Sequence, residues 1–202
     1  LREPAIEAVL IEFLNDPWYT GIEAGEPNYI LRMMVARSSV DPLPLHIDSF
    51  VPYEGPTVIS MQAIMVLEGM DAANGASLVV PGSHLSGRYF DPDDDVEAVA
   101  VEADPGDVVF WDSRLWHGAG PNTSGRTRWT LTATFTRWWI KQAFRTTERL
   151  PEDIYERLSD REKLILGFGS IPYLDEHEGI DMRRGVDALR DHVRDYRETR
   201  QP

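Results

Sequence analysis

An imidazole and a carboxylate, His46 and Asp48, stand two residues apart in the stretch PLHIDSF. On a strand, alternate side chains point the same way, so the two would converge on one point. Such convergence suits a metal ion or an ordinary His–Asp hydrogen bond on a polar face, and a metal requires a third ligand. Five histidines are available: His46, His84, His117, His177 and His192. The last two lie in charged C-terminal stretches and read as solvated. His84 ends VPGSH, where it could cap a helix or bond a backbone group. His117 follows VVFWDSRLW and precedes GAGPN, which places it at the end of an apolar strand before a Gly-rich turn. A strand end offers rigid support and an open side, so His117 is the favoured third ligand and His84 its rival.

Two imidazoles and one carboxylate suit Fe(II), occupying one face of an octahedron and leaving three positions free. Zinc accepts the same ligands, so the triad alone leaves the metal open. An arginine adds to the case. Arg128 follows His117 by eleven residues, across the turn GPNTSG. That turn is expected to fold the next strand back beside the one ending in His117 and to aim Arg128 towards the metal. A guanidinium there can hold a carboxylate through two parallel hydrogen bonds. The competing reading of Arg128 is a surface salt bridge, and Arg126, which shares its parity, is the local alternative.

The elements that must position these residues are mainly strands. Residues 1–15 predict an amphipathic helix, with Ile6, Val9, Leu10 and Phe13 at helical spacing. From Tyr29 to about Thr136, short β-prone runs such as YILRMMVAR, TVISMQAIMVLEG, VEAVAVEADPG and RWTLTATFTRWWI alternate with the breakers DAANG, DPDDD, DPGD and GPNTSG. Short strands so punctuated predict a sandwich or barrel. From residue 150 the pattern is helical again, in PEDIYERLSDREKLILGFG and GVDALRDHVRDYRETR. In residues 126–136 the even positions form a row of Arg and Thr, and the odd positions are apolar after Thr127. In 57–67, Ser60 and Gln62 stand on the even face. These faces fit two sheets enclosing a polar pocket, or equally an antiparallel sheet with one wet side. The loop 84–96 and the helices after 150 are placed to act as a lid.

Composition narrows the function classes. With 202 residues the chain is long enough for one domain with a real core, and it is taken as a single domain, 1–202. Twenty Lys plus Arg against 34 Asp plus Glu give a formal charge of −14. That charge disfavours nucleic acid, whose binding rests on phosphate neutralisation, and anionic membrane surfaces. There is no cysteine, which removes disulfides, thiolate catalysis and zinc–thiolate sites. The absence fits a reducing cytoplasm, the expected location. No apolar run approaches the roughly 20 residues of a membrane span, and no signal peptide is visible. The chain opens on Leu1 rather than Met, and an upstream piece is expected.

The blocks HID at 46–48, NGASLVVPGSH at 74–84 and PGDVVFWDSRLWHGAGPNTSGRTRW at 105–129, with the His117–Arg128 spacing, resemble the phytanoyl-CoA dioxygenase-like family. The resemblance covers about residues 28–141, and the tail RWWIKQAF…LILGFG also resembles bacterial members. It implies a double-stranded β-helix (jelly-roll) core over 28–141, flanked by an N-terminal helix and a helical region over 151–200. It implies an Fe(II)- and 2-oxoglutarate-dependent oxygenase that uses O2 and releases succinate and CO2. His46, Asp48 and His117 would ligate iron, and Arg128 would bind the distal carboxylate of 2-oxoglutarate. Asp48 is present where halogenases of the family carry a small residue, so hydroxylation of a small-molecule metabolite is the implied reaction. Desaturation, epimerisation and ring closure on the same site are the alternatives. A non-catalytic metal- or sugar-binding jelly-roll is disfavoured, because it has no use for a dicarboxylate anchor. One position departs from the family. A hydroxyl residue often stands two places after the distal His and helps hold the co-substrate, whereas this chain has Ala119. Gln62, Thr130 or Ser60 would supply that contact instead. Asp112 and Asn122 are candidates to orient the ligand imidazoles.

Overall fold

In the computed structural model, residues 3–19, 25–38 and 41–171 are described. The helix GVDALRDHVRDYRETR expected from the sequence, together with His177 and His192, lies outside them. The chain divides into two compact units, residues 1–33 with 135–202, and residues 34–134.

Helix α1 spans Pro4–Leu14, opened by a proline whose missing N–H costs nothing in a first turn. Its buried residues are Leu10 and Leu14, one helical repeat apart. Phe13, expected on the buried stripe, is instead exposed. The strands are β1 (Tyr29–Arg37), β2 (Leu43–His46), β3 (Ser60–Val66), β4 (Ser77–Val79), β5 (Val99–Ala100), β6 (Val108–Asp112), β7 (His117–Ala119) and β8 (Thr130–Arg137). They form two four-stranded sheets, ordered β1-β8-β3-β6 and β2-β7-β4-β5. The fold is mainly β, a double-stranded β-helix. Short helices α2 (Thr146–Arg149), α3 (Glu152–Tyr155) and α4 (Asp160–Ile165) follow. The single helical run expected from residue 151 is divided at Ser159, whose side chain and Glu162 form a reciprocal cap that starts α4 afresh.

In the unit of residues 1–33 and 135–202, Tyr29 meets Phe135 edge to face at 5.8 Å. The Gln142 amide donates to both Leu31 O and Leu166 O at 2.9 Å, and Arg161 pairs with Glu7 and Glu26. None of the described helices is long and apolar enough to cross a membrane.

In the unit of residues 34–134, Val66, Met70 and Ala76 are buried against Ala100, Val101, Ala103 and Val109. Here three expectations about strands need correction. The run VEAVAVEADPG yields only the two residues of β5. The run DVVFWDSRLWHG is two strands, not one, so His117 opens β7 and does not close an apolar strand. The break has a local cause: the Asp112 carboxylate accepts from the backbone N–H of Arg114 at 2.8 Å, and Leu115 N donates to Asp112 O at 2.9 Å, closing a tight turn. The turn GPNTSG, in its turn, does not fold β8 back beside β7. It carries the chain to the other sheet, where β8 lies between β1 and β3.

The pairing of β2 with β7 is the joint on which the site depends, because its register sets His46 opposite His117. Gly118 makes that pairing possible. A Cβ there would stand 2.4 Å from Leu43 O and 3.2 Å from the Pro44 carbonyl, both of them backbone atoms. Gly118→Ala is therefore expected to push β2 off β7 and lower unfolding free energy by about 1–3 kcal/mol in denaturant melts. A wild-type midpoint would mean that β2 can step back without penalty.

Candidate metal centre

His46, Asp48 and His117 each offer one ligand atom, and the three atoms lie within 4.8 Å of one another. His117 Nε2 is 3.2 Å from Asp48 Oδ2, and His46 Nε2 is 3.6 Å from Asp48 Oδ1. The two rings are 4.3 Å apart. His117 is buried, whereas His46 and Asp48 keep about a third of their side-chain surface open (36% and 37%), so the cluster has one closed and one accessible side.

Each imidazole is oriented by a backbone carbonyl two residues earlier. His46 Nδ1 lies 2.9 Å from Pro44 O, and His117 Nδ1 lies 2.9 Å from Leu115 O. A carbonyl can only accept, so Nδ1 carries its proton whether or not the ring is charged, and loss of the Nε2 proton leaves a lone pair aimed at the centre. Asp112 and Asn122, the expected partners of these rings, are engaged elsewhere. Asp112 forms a bidentate pair with Arg114, and Asn122 organises its own turn through Arg126 O and Ser124.

Strand alternation alone does not explain how Asp48 comes to face His46. Strand β2 ends at His46, and Asp48 sits in the following bend, held by its backbone N–H to Ser113 O at 2.8 Å. Ser113 is fully buried and bonds Ser60 through both its backbone N–H and its hydroxyl. The Asp48 carboxylate is then fixed by Gln62, whose Nε2 donates to Oδ2 at 2.8 Å. The other end of that amide accepts from the Thr134 hydroxyl at 2.9 Å. Gln62, expected against the keto acid, thus has its amide engaged by a metal-ligand candidate and a threonine. Burial pushes the Asp48 carboxyl up, but hydrogen bonds from His117 and His46 outweigh it and hold the group well below the usual carboxylate range. The hydrogen bond to Asp48 in turn raises His46.

The arginines separate clearly. Arg126 is exposed and pairs with Asp71 at 2.6 Å. It lines an acidic cleft of about 540 Å³ with Glu68, Glu102, Asp104 and Asp107, which contains none of the triad. Arg128 is 7% exposed, its Nε has no hydrogen-bond partner, and no carboxylate among the described residues pairs with it. Burial pulls its pKa down, yet a guanidinium stays charged across any working pH. A buried cation without an anion is costly, and the absent counter-charge is what a dicarboxylate would bring. Thr130, next on the same face of β8, is also buried, as are Thr134 and Thr136. The Arg and Thr row of residues 126–136 is therefore mostly internal from residue 128 onwards, with Thr132 half-buried.

Two features escaped the sequence reading. Ser113 is an anchor through its backbone carbonyl, a role no side-chain pattern advertises. Trp111 is buried in register opposite Gln62, its ring 5.2 Å from His117 and its indole nitrogen unpartnered. Register parity with Gln62 was the available signal. His84 lies in a 3-10 turn, Ser83–Leu85, outside the cluster. That turn belongs to the loop expected as a lid. The loop is fastened beside the ligands: Trp116 N donates to Ser83 Oγ, Trp116 Nε1 to Arg88 O, and Tyr89 OH to Phe50 O. Phe50, two residues past Asp48, is the one non-glycine residue among those described with a left-handed backbone (φ 64°), a strained conformation of the kind that collects at functional sites.

With this geometry in place, the chain's relatives become interpretable. The family model for phytanoyl-CoA dioxygenase (PhyH) matches residues 2–130. The chain belongs to the phytanoyl-CoA dioxygenase family. It is 32% identical over 145 residues to dioxygenase af480 of Aspergillus fumigatus, covering 69% of this chain and 47% of that protein. It is 34% identical over 125 residues to the uncharacterized protein Rv1501 of Mycobacterium tuberculosis, covering 59% and 45%. The chain thus spans about half the length of the curated relatives it matches. Among solved structures, a non-heme monooxygenase, the ThoJ–Ni complex, superposes with a TM-score of 0.52 at 21% identity, covering 67% of this chain and 51% of that one. AviO1 from Streptomyces viridochromogenes superposes with a TM-score of 0.50 at 23% identity, covering 67% and 58%. Both share the fold.

Gln62→Leu removes the brace on Asp48 while keeping the volume close. It is expected to weaken Mn(II) binding, read by electron paramagnetic resonance, by roughly 10–100-fold with circular dichroism unchanged. Wild-type affinity would show that the Ser113 carbonyl holds Asp48 unaided.

Proposed function

We propose that this chain carries the metal centre of an Fe(II)- and 2-oxoglutarate-dependent dioxygenase that hydroxylates an unactivated C–H of a small-molecule metabolite and releases succinate and CO2. One observation carries the reading: a buried, unpartnered guanidinium, Arg128, accompanies a His–Asp–His cluster with an open side. Zinc would accept the same three ligands, but a zinc centre has no need of a buried cation waiting for an anion. The dioxygenase relatives and the family membership support the same choice.

In this reading His46, Asp48 and His117 hold the iron, and Arg128 takes the distal carboxylate of 2-oxoglutarate in a two-bonded fork, with Thr130 beside it. When bound, the iron with its keto acid and O2 supplies the oxidation itself. The remaining tasks belong to the chain. The two carbonyl-bound imidazoles keep their Nε2 lone pairs aimed inward. Gln62 donates to Asp48 Oδ2 and holds the carboxylate in the orientation in which it would meet the iron. His117 is itself buried, with the Trp111 ring 5.2 Å from it, which limits water on that side. The primary substrate enters from the open side, by His46, Asp48 and the exposed Phe50 and Tyr89.

Anaerobic Fe(II) protein titrated with 2-oxoglutarate is expected to develop a weak visible charge-transfer band, and its absence would count against chelation. In Arg128→Gln the half-saturating 2-oxoglutarate concentration should rise roughly 10–100-fold, the range for a lost hydrogen bond to a charged group. An unchanged value would place the anchor elsewhere. Asp48→Ala should abolish succinate release in a screen against candidate metabolites; full turnover in that variant would contradict the ligand assignment.

A further inference from the structure

Among the described residues of the unit 34–134, the buried side-chain N–H groups without a partner are Arg128 Nε and Trp111 Nε1, and the proposed function uses only the first. Trp111 is 8% exposed, so its donor is buried as deeply as that of Arg128. Leaving such a donor unmet costs about 1–3 kcal/mol, which argues for an acceptor that arrives with a ligand.

Register shows which end of a ligand Trp111 can serve. At one end of β3, Leu67 and Glu68 both donate to Trp129 O. Towards the other end, Gln62 bonds Thr134 and pairs with Trp111. Arg128 and Thr134 are six residues apart along one near-extended segment, up to about 20 Å between Cα atoms. Arg128 therefore serves one end of the site and Trp111 the other. Trp111 also touches the ligand set directly: its ring stands 5.2 Å from that of His117, and its cross-strand neighbour Gln62 holds Asp48. Its N–H lies at the metal end. The chain has Ala119 where a hydroxyl could have helped, so β7 supplies no donor from that position.

We propose that the Trp111 indole N–H holds the metal-binding end of the keto acid, donating to an oxygen of its α-keto carboxylate head while Arg128 holds the tail. The assignment rests on the function proposed above. Its test uses two acids with the same head: 2-oxoglutarate, and 2-oxobutyrate, which lacks the distal carboxylate. Each is titrated into anaerobic Fe(II) protein, and the charge-transfer band is followed. Trp111→Phe should weaken both acids by a similar factor, about tenfold, and shift the band, while Mn(II) affinity without keto acid stays as in the wild type. Arg128→Gln should weaken 2-oxoglutarate alone. Replacing Trp111 with benzothienylalanine, which keeps the bicycle and removes only the N–H, should reproduce the Phe result and covers the case in which Phe packs poorly. Unaltered affinity for both acids would overturn the assignment and leave the donor to the primary substrate. A loss confined to 2-oxoglutarate would also overturn it, by moving Trp111 to the tail. No band in the wild type would remove the underlying reading, whereas a wild-type band with unaltered Trp111 variants would remove this assignment alone.

Discussion

The site depends on one carboxylate being held in place. Asp48 lies on a bend beyond the end of its strand, where nothing in β2 itself constrains it. It is fixed from two directions: through its backbone to the Ser113 carbonyl and through its side chain to Gln62. Without those bonds the negative charge would swing towards solvent, and the two imidazoles would face each other with nothing to balance a cation. With them, the anion sits between His46 and His117, whose hydrogen bonds outweigh the burial that would otherwise neutralise it.

That arrangement requires the two sheets to cooperate. The imidazoles stand on β2 and β7 of one sheet, while the brace on Asp48 comes from β3 and β8 of the other. Gln62 spans them because its amide is donor at one end and acceptor at the other, a polarity that a carboxylate in its place would lose. The short turn after Asp112 is what lets one stretch of chain serve both sheets. The Arg114 side chain locks it, pairing with Asp112 and donating to the carbonyls of Tyr53 and Gly55. Through that lock the segment following Asp48 is tied to the same turn that leads to His117.

Much of this was legible in the chain itself. The family resemblance singled out His46, Asp48 and His117, which the structure brings together, and Arg128, which it buries with no carboxylate partner among the described residues. The β-prone runs and their breakers pointed to a sandwich or barrel, and the family resemblance narrowed that to a jelly roll. Parity along residues 126–136 marked a polar face but left open whether it was wet or enclosed. The strand limits were less legible. DVVFWDSRLWHG reads as one apolar strand, since the turn inside it is made by the Asp112 carboxylate bonding a backbone N–H and not by a glycine or proline. Phe13 reads as buried by helical spacing, yet Leu14 takes the inner position, because which flank of a stripe is covered depends on what packs against it.

The sequence by itself determined the kinds of donor available: two imidazoles, one carboxylate, an arginine with nothing nearby in the chain to neutralise it, and no thiol. Only the tertiary structure decided which of them meet. It brought His117 rather than His84 to His46, spent Arg126 on Asp71 at the surface, buried Arg128 with no partner among the described residues, and turned Gln62 towards Asp48. The reason is physical. Residue type sets what bond a side chain can make, but partner choice is settled by strand register and sheet membership, which depend on hydrogen bonds between segments far apart in the chain.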